Sequence, residues 1–154
     1  MSFAATSSKF LRGLFLAVLG ILLVGAVGCT KAPETLEEYY EIHPDQLQKE
    51  IDDFESGLSG GDFAGSSVEV KGNEVVMTAA LNMDFNDLDA ETMDFLIATV
   101  EESIASSGTY DDMSTAVKNT EEATGIEGIK ITIAYTDKNG TPLASASFDA
   151  NGAV

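Results

Sequence analysis

Fifteen apolar and small residues, Gly13 to Val27, lead directly to Gly28 and Cys29, the one cysteine in a chain of 154 residues. A helix that crosses a bilayer needs about 20 apolar residues, so the run is short for a permanent span and long enough for the core of an export signal. Ser7, Ser8, Lys9 and Arg12 precede it, and no acid occurs before Glu34. A single cysteine excludes an internal disulfide framework and any multi-cysteine zinc or iron–sulfur centre. The chain that folds therefore starts after residue 28 and must be held by its hydrophobic core.

Ala26-Val27-Gly28-Cys29 resembles the bacterial lipobox, with Ala26 where leucine is commoner. The chemistry explains the residue types. Small side chains let a peptidase reach the backbone, and the Cys29 thiol is the nucleophile that takes a diacylglycerol as a thioether. The expectation is a cleaved signal over residues 1–28, a lipidated Cys29 with a short tether over 29–34, a single domain over 35–149 and a tail over 150–154. Two or three acyl chains suffice for stable anchoring, which places the body on the extracellular face of the cell membrane. An uncleaved anchor helix and an ordinary secretory signal are the alternatives. Apart from the covalent diacylglycerol, no cofactor is expected.

Cleavage at Cys29 leaves 126 residues with 26 acids and six lysines, a formal charge of −20. Phosphate neutralisation needs clustered Lys and Arg, so nucleic acid is excluded as a partner. An anionic membrane would repel such a body everywhere except at its anchor.

Periodicity gives the order helix, helix, strand, strand, helix, helix, strand, strand. Thr35-Leu-Glu-Glu38 reads as a capping box opening a helix to Ile42. His43-Pro44 interrupts it, and Pro44 suits the start of a second helix with Leu47, Ile51 and Phe54 inward. Ser67–Lys71 and Glu74–Phe85 flank the turn dipeptide Gly72-Asn73. Asp89 caps a helix from Ala90 with Met93, Leu96, Ile97, Val100 and Ile104 buried. A fourth helix to Thr124 buries Met113, Ala116, Val117 and Thr120, and Gly125 ends it. Ile129, Ile131, Ile133 and Tyr135 share one strand face, Asn139-Gly140 turns the chain, and Pro142 marks the last strand as an edge. The fold class expected is α+β: a four-stranded antiparallel sheet of two hairpins with helices packed mainly on one face.

The reactive groups are carboxylates: Glu37-Glu38, Asp52-Asp53, Asp84 to Glu91, Asp111-Asp112 and Glu121-Glu122. They fall on expected solvent faces and caps, so no catalytic residue and no metal site is assigned, and the chain is read as not an enzyme. The loop around Asp137, Asn139 and Gly140 fails as an EF-hand, because Ala146 stands where a bidentate glutamate is required. His43 has no second ligand and reads as a turn residue. Of Tyr39 and Tyr40, one ring is expected in the core and the other half exposed.

The lipobox, Thr35-Leu-Glu-Glu-Tyr-Tyr40 and the segment from Glu121 to Gly140 together resemble small lipoproteins of Gram-positive bacteria that carry a domain of unknown function. The resemblance spans Thr35 to Phe148 and implies an anchored extracellular domain with no catalytic residues to transfer. The functional expectation is a non-enzymatic, lipid-anchored domain that binds a protein or cell-envelope partner; the alternative is an acid-rich binder of Ca²⁺ or a small ligand.

Overall fold

The structure, a computed structural model, describes residues 32–58, 61–104 and 107–154. Among the described residues four α-helices and five strands follow in the order α1 (Leu36–Ile42), α2 (Pro44–Gly57), β1 (Phe63–Lys71), β2 (Glu74–Leu81), α3 (Ala90–Ile104), α4 (Ser107–Thr124), β3 (Lys130–Thr136), β4 (Pro142–Asp149) and β5 (Gly152–Ala153). A 3₁₀ turn, Phe85–Asp87, lies between β2 and α3.

The strands form one sheet in the order β1-β2-β3-β4-β5. Both expected hairpins are present: β1 pairs antiparallel with β2, and β3 with β4. The sheet is nevertheless mixed, because β2 and β3 run parallel from Glu74↔Lys130 to Ala80↔Thr136. This corrects the four antiparallel strands expected from the sequence. The physical reason is the connection between the hairpins. A parallel pair needs a crossover, and α3 and α4 supply one, so the chain starts β3 at the same end of the sheet where β2 began.

Two smaller corrections follow. The first hairpin shifts at its open end: β1 begins at Phe63 instead of Ser67 and β2 ends at Leu81 instead of Phe85, where the chain leaves for the 3₁₀ turn, and the two pair to Phe63↔Leu81 across an irregularity between Phe63 and Gly65. Residues 150–154, expected as a tail, turn back: Gly152 and Ala153 pair with the end of β4, and the Val154 amide donates to the Ser147 carbonyl at 3.0 Å. β4 is thus flanked on both sides at its end, and Pro142, its first residue, sits where only β3 is beside it.

One face of the sheet builds the core. Val75, Met77, Ala79 and Leu81 of β2 and Ile131, Ile133 and Tyr135 of β3 are buried, as are Ile129 before β3 and Phe148 of β4. The helices cover this face with Leu36, Tyr39, Tyr40, Phe54, Val100, Ile104, Met113, Ala116 and Val117. The opposite face carries Thr78, Ala80, Thr132, Ala134 and Thr136, all half-buried. Its charges meet in pairs, Lys130 with Glu74 at 3.0 Å and Lys71 with Glu69 at 2.6 Å. Helices on one face of the sheet match the expected layering.

The α4 stripe is buried as the periodicity predicts, from Met113 to Thr120. That of α3 is not. Only Val100 and Ile104 are buried, Met93, Leu96 and Ile97 are half-buried, and Phe95 is 60 % exposed.

Candidate functional site

The residues singled out for lipidation, Ala26, Val27, Gly28 and Cys29, lie outside the described residues. Within them, three environments gather hydrogen-bonded carboxylates.

The first is the end of the sheet where β2 and β3 begin. The Thr35 hydroxyl accepts from the Glu38 amide at 3.2 Å, as a capping residue should. Glu38 reaches back one residue further than the motif requires, to the Glu34 amide at 2.8 Å. Glu37 accepts from the Gly72 amide, and the Glu37 amide donates to the Gly72 carbonyl. Asn73 joins three elements: its side-chain carbonyl accepts from the Leu36 amide at 3.0 Å, its side-chain amide donates to the Glu127 carbonyl, and its own carbonyl accepts from the Lys130 amide. One Glu121 oxygen accepts from the amides of both Gly128 and Ile129. The turn dipeptide is thus also the clasp between α1, the first hairpin and β3.

The second environment is the opposite end. Asp137 is fully buried. One of its oxygens accepts from the amides of Asn139 and Thr141 at 2.8 and 2.7 Å, and the other from the Phe85 amide at 3.3 Å. Burial pushes this carboxyl up, but the backbone donors outweigh burial and hold it below the ordinary carboxylate range. Asp84 lies beside it, accepting from the Asn86 amide at 3.0 Å and the Asn139 side chain at 2.8 Å, with the Lys138 ammonium 3.9 Å away. Those bonds lower its pKa, the Asn86 amide most. The loop that fails as an EF-hand therefore meets the Asp84 turn, but the carboxylates of both act there as hydrogen-bond acceptors. Among the described residues no group of three or more His, Cys, Asp and Glu is gathered to hold a metal ion.

The third environment is the joint between α1 and α2. Tyr39 and Tyr40 are both buried, 5 % and 4 % exposed, which corrects the expectation that one would be half in water. A tyrosine can be buried where its hydroxyl finds a partner, and α2 provides two. The Tyr39 hydroxyl donates to Gln46 at 2.7 Å, and the Tyr40 hydroxyl lies 2.6 Å from both oxygens of Glu50. The rings meet edge to face at 5.5 Å, and the His43 ring lies tilted against Tyr39 at 4.6 Å. Burial pushes the Glu50 carboxyl up to about 7; the Tyr40 bond opposes this, Asp53 adds to it and Lys49 opposes it. Burial, then the Glu50 charge, raises the Tyr40 hydroxyl.

The sequence reading passes over Glu50, and it takes Asp137 only as part of a turn that fails as an EF-hand. For Glu50 the signal was present: it lies three residues after Leu47 and four before Phe54, on the apolar stripe of α2, where a glutamate must find a partner or keep its proton. Asp137 opens an Asp-Lys-Asn-Gly turn, and such residues commonly bond their own backbone two residues on. Its third donor, the Phe85 amide, lies 52 positions away.

Among the described residues no helix is long and apolar enough to cross a membrane. Residues 36–148 match the family model of a domain of unknown function, DUF4854. No curated protein and no solved structure matches the chain.

Proposed function

We propose that this chain, which belongs to the DUF4854 family of domains of unknown function, is a lipid-anchored extracellular domain that binds a protein or cell-envelope partner and catalyses no reaction itself. Anchoring rests on Cys29 standing directly behind a signal-like apolar run. The binding role rests on one observation about the body: a set of its carboxylates is engaged in holding the fold. Asp84, Asp89, Asp137, Glu37, Glu38 and Glu121 each accept a backbone amide. Hydrogen bonds lower the pKa of Asp84, Asp89 and Asp137, which makes these three weaker proton acceptors. What the body then offers a partner is its surface.

The experiment is a pull-down with the full chain from detergent-solubilised membranes. A protein or envelope component recovered reproducibly is the expected result; its consistent absence would overturn the binding role. Mass spectrometry of the membrane-extracted chain tests the anchor. A mass starting at Cys29 with two or three acyl groups is expected, and an intact Met1 start with a free thiol would overturn it.

A further inference from the structure

Helix α3 packs Met93, Leu96, Val100 and Ile104 toward the core and leaves Phe95 60 % exposed on its outer side. Its apolar residues, Met93, Phe95, Leu96, Ile97, Val100 and Ile104, outnumber those it buries, which are Val100 and Ile104. The exposed large apolar side chains among the described residues are Ile42, Phe95 and Val154. Ile42 ends a helix and Val154 stands at the last position of the sequence, whereas Phe95 sits mid-helix.

Helical spacing sets its neighbours. Residues three, four and seven positions away share a face. Glu91 lies one turn before Phe95, Ala98 one turn after it and Glu102 two turns after it, with Asp94 adjacent in sequence; all four are exposed. Between Ala90 and Ile104 there are four acids and no lysine or arginine. The face is an aromatic ring set among carboxylates with no cation on its own helix.

Charge decides what can cover it. A second copy would bring its own large negative charge against these acids. An anionic membrane would do the same. A partner segment bearing arginine or lysine meets the carboxylates favourably, lays its aliphatic stem on the apolar residues and places its cation over the Phe95 ring. Arginine and aromatic side chains are the usual centres of protein interfaces.

We propose that the face of α3 formed by Glu91, Asp94, Phe95, Ala98 and Glu102 is the docking surface of this domain, and that it takes a basic, apolar segment of a partner protein. This rests on the partner-binding reading above and adds to it where the partner binds and what chemistry it presents.

The probe is a fluorescein-labelled amphipathic helical peptide of leucine and arginine. It is titrated by anisotropy against the full chain in neutral detergent at about 0.15 M salt, where exposed charges beyond about 8 Å are largely screened. Phe95→Ser is expected to weaken binding about tenfold or more, as for a central interface aromatic, with an unchanged thermal midpoint because the side chain is mostly in water. Neutralising Glu91, Asp94 and Glu102 to their amides is expected to weaken binding and flatten its salt dependence. Neutralising Glu41, Glu55 and Glu122 removes equal charge from exposed positions elsewhere and is expected to leave affinity within about twofold, since rim and remote charges contribute little. Equal losses in the two neutralised chains, or wild-type affinity in Phe95→Ser, would overturn the proposal. The pull-down separates the two levels. A partner retained equally by wild type and Phe95→Ser removes the α3 face and leaves the binding role standing; no partner for wild type removes the binding role.

Discussion

Asp137 and Glu50 are both carboxylates drawn out of water, and they end in opposite states. Asp137 sits at one end of the sheet with three backbone amides directed at its two oxygens. Glu50 sits at the joint of α1 and α2, where one hydroxyl, that of Tyr40, serves both oxygens. A carboxylate stays charged away from water when donors replace the hydration it loses, and otherwise it keeps its proton. The amides hold Asp137 below the ordinary range, while Glu50 is pushed up to about 7. Burial alone therefore does not fix the charge of a site; the supply of donors does.

Removing the donors' target should produce the largest effect. Asp137→Ala leaves the amides of Phe85, Asn139 and Thr141 without their acceptor and removes the tie from the second hairpin to the Phe85 amide, while the Asn139–Asp84 and Lys138–Met83 bonds remain. A fall in thermal midpoint on the order of 10 °C is expected by calorimetry, since each orphaned buried donor is costly. Asp137→Asn keeps one oxygen and turns an amide group toward one of the donors, so its fall should be smaller. Equal midpoints for Asp137→Ala and wild type would show that the turn holds without its carboxylate.

Glu50 and Asp137 should also make stability depend on pH with opposite sign. Glu50 has a folded pKa above its unfolded one, so between about 4.5 and 7 the folded chain holds a proton that the unfolded chain has lost. Its contribution is complete below that window and is lost as pH rises through it. Asp84, Asp89 and Asp137 are lowered and act the other way: their contribution is present above the ordinary carboxylate range and is lost as pH falls. Glu50→Gln should remove the first dependence and leave the second. Relative to wild type, it should gain roughly 1–3 kcal/mol between pH 4 and pH 8 in urea unfolding, the order given by the shift. A parallel pair of pH profiles would show that Glu50 titrates normally.

These two sites also mark how far the sequence could be read. The Asn139-Gly140 turn, the Thr35 cap, the buried stripe of α4 and the Ile129–Tyr135 face are local patterns, and local patterns are legible because their partners lie within a few residues. The parallel pairing of β2 with β3 depends on where a long helical crossover lands, and no residue in either strand encodes it. α3 was misread for a related reason. Its apolar spacing shows which residues can be buried, whereas the neighbours available to cover them decide which are. The joint was half legible: Glu50 lay on an apolar stripe, but its donor is on another helix.

Gly140 tests the corner from its backbone. Its φ of 85° is a conformation that side chains resist. No atom would crowd an added Cβ, so Gly140→Ala isolates the conformational cost, about 1 kcal/mol. A larger loss, measured by the same urea unfolding, would mean that Asp137 loses its amides when the turn shifts, which would couple the backbone to the carboxylate.

The smallest effect should come from the joint's single donor. Tyr40→Phe keeps the ring and its packing against Tyr39, so the volume of the core is unchanged. It removes the one hydroxyl that stabilises the charged form of Glu50. Because that bond lowers the Glu50 pKa against the pull of burial, its loss should raise the midpoint above about 7, seen by following the Glu50 side chain in NMR titration. Stability near pH 5 should hardly change, because the protonated acid then donates elsewhere or to water at the half-buried edge. Above pH 8 a loss of about 1 kcal/mol is expected, the usual worth of such a bond. A midpoint that falls instead would mean that the hydroxyl had been shielding Glu50 from water, with burial and not donor supply setting its charge, and the contrast with Asp137 would then reduce to depth alone.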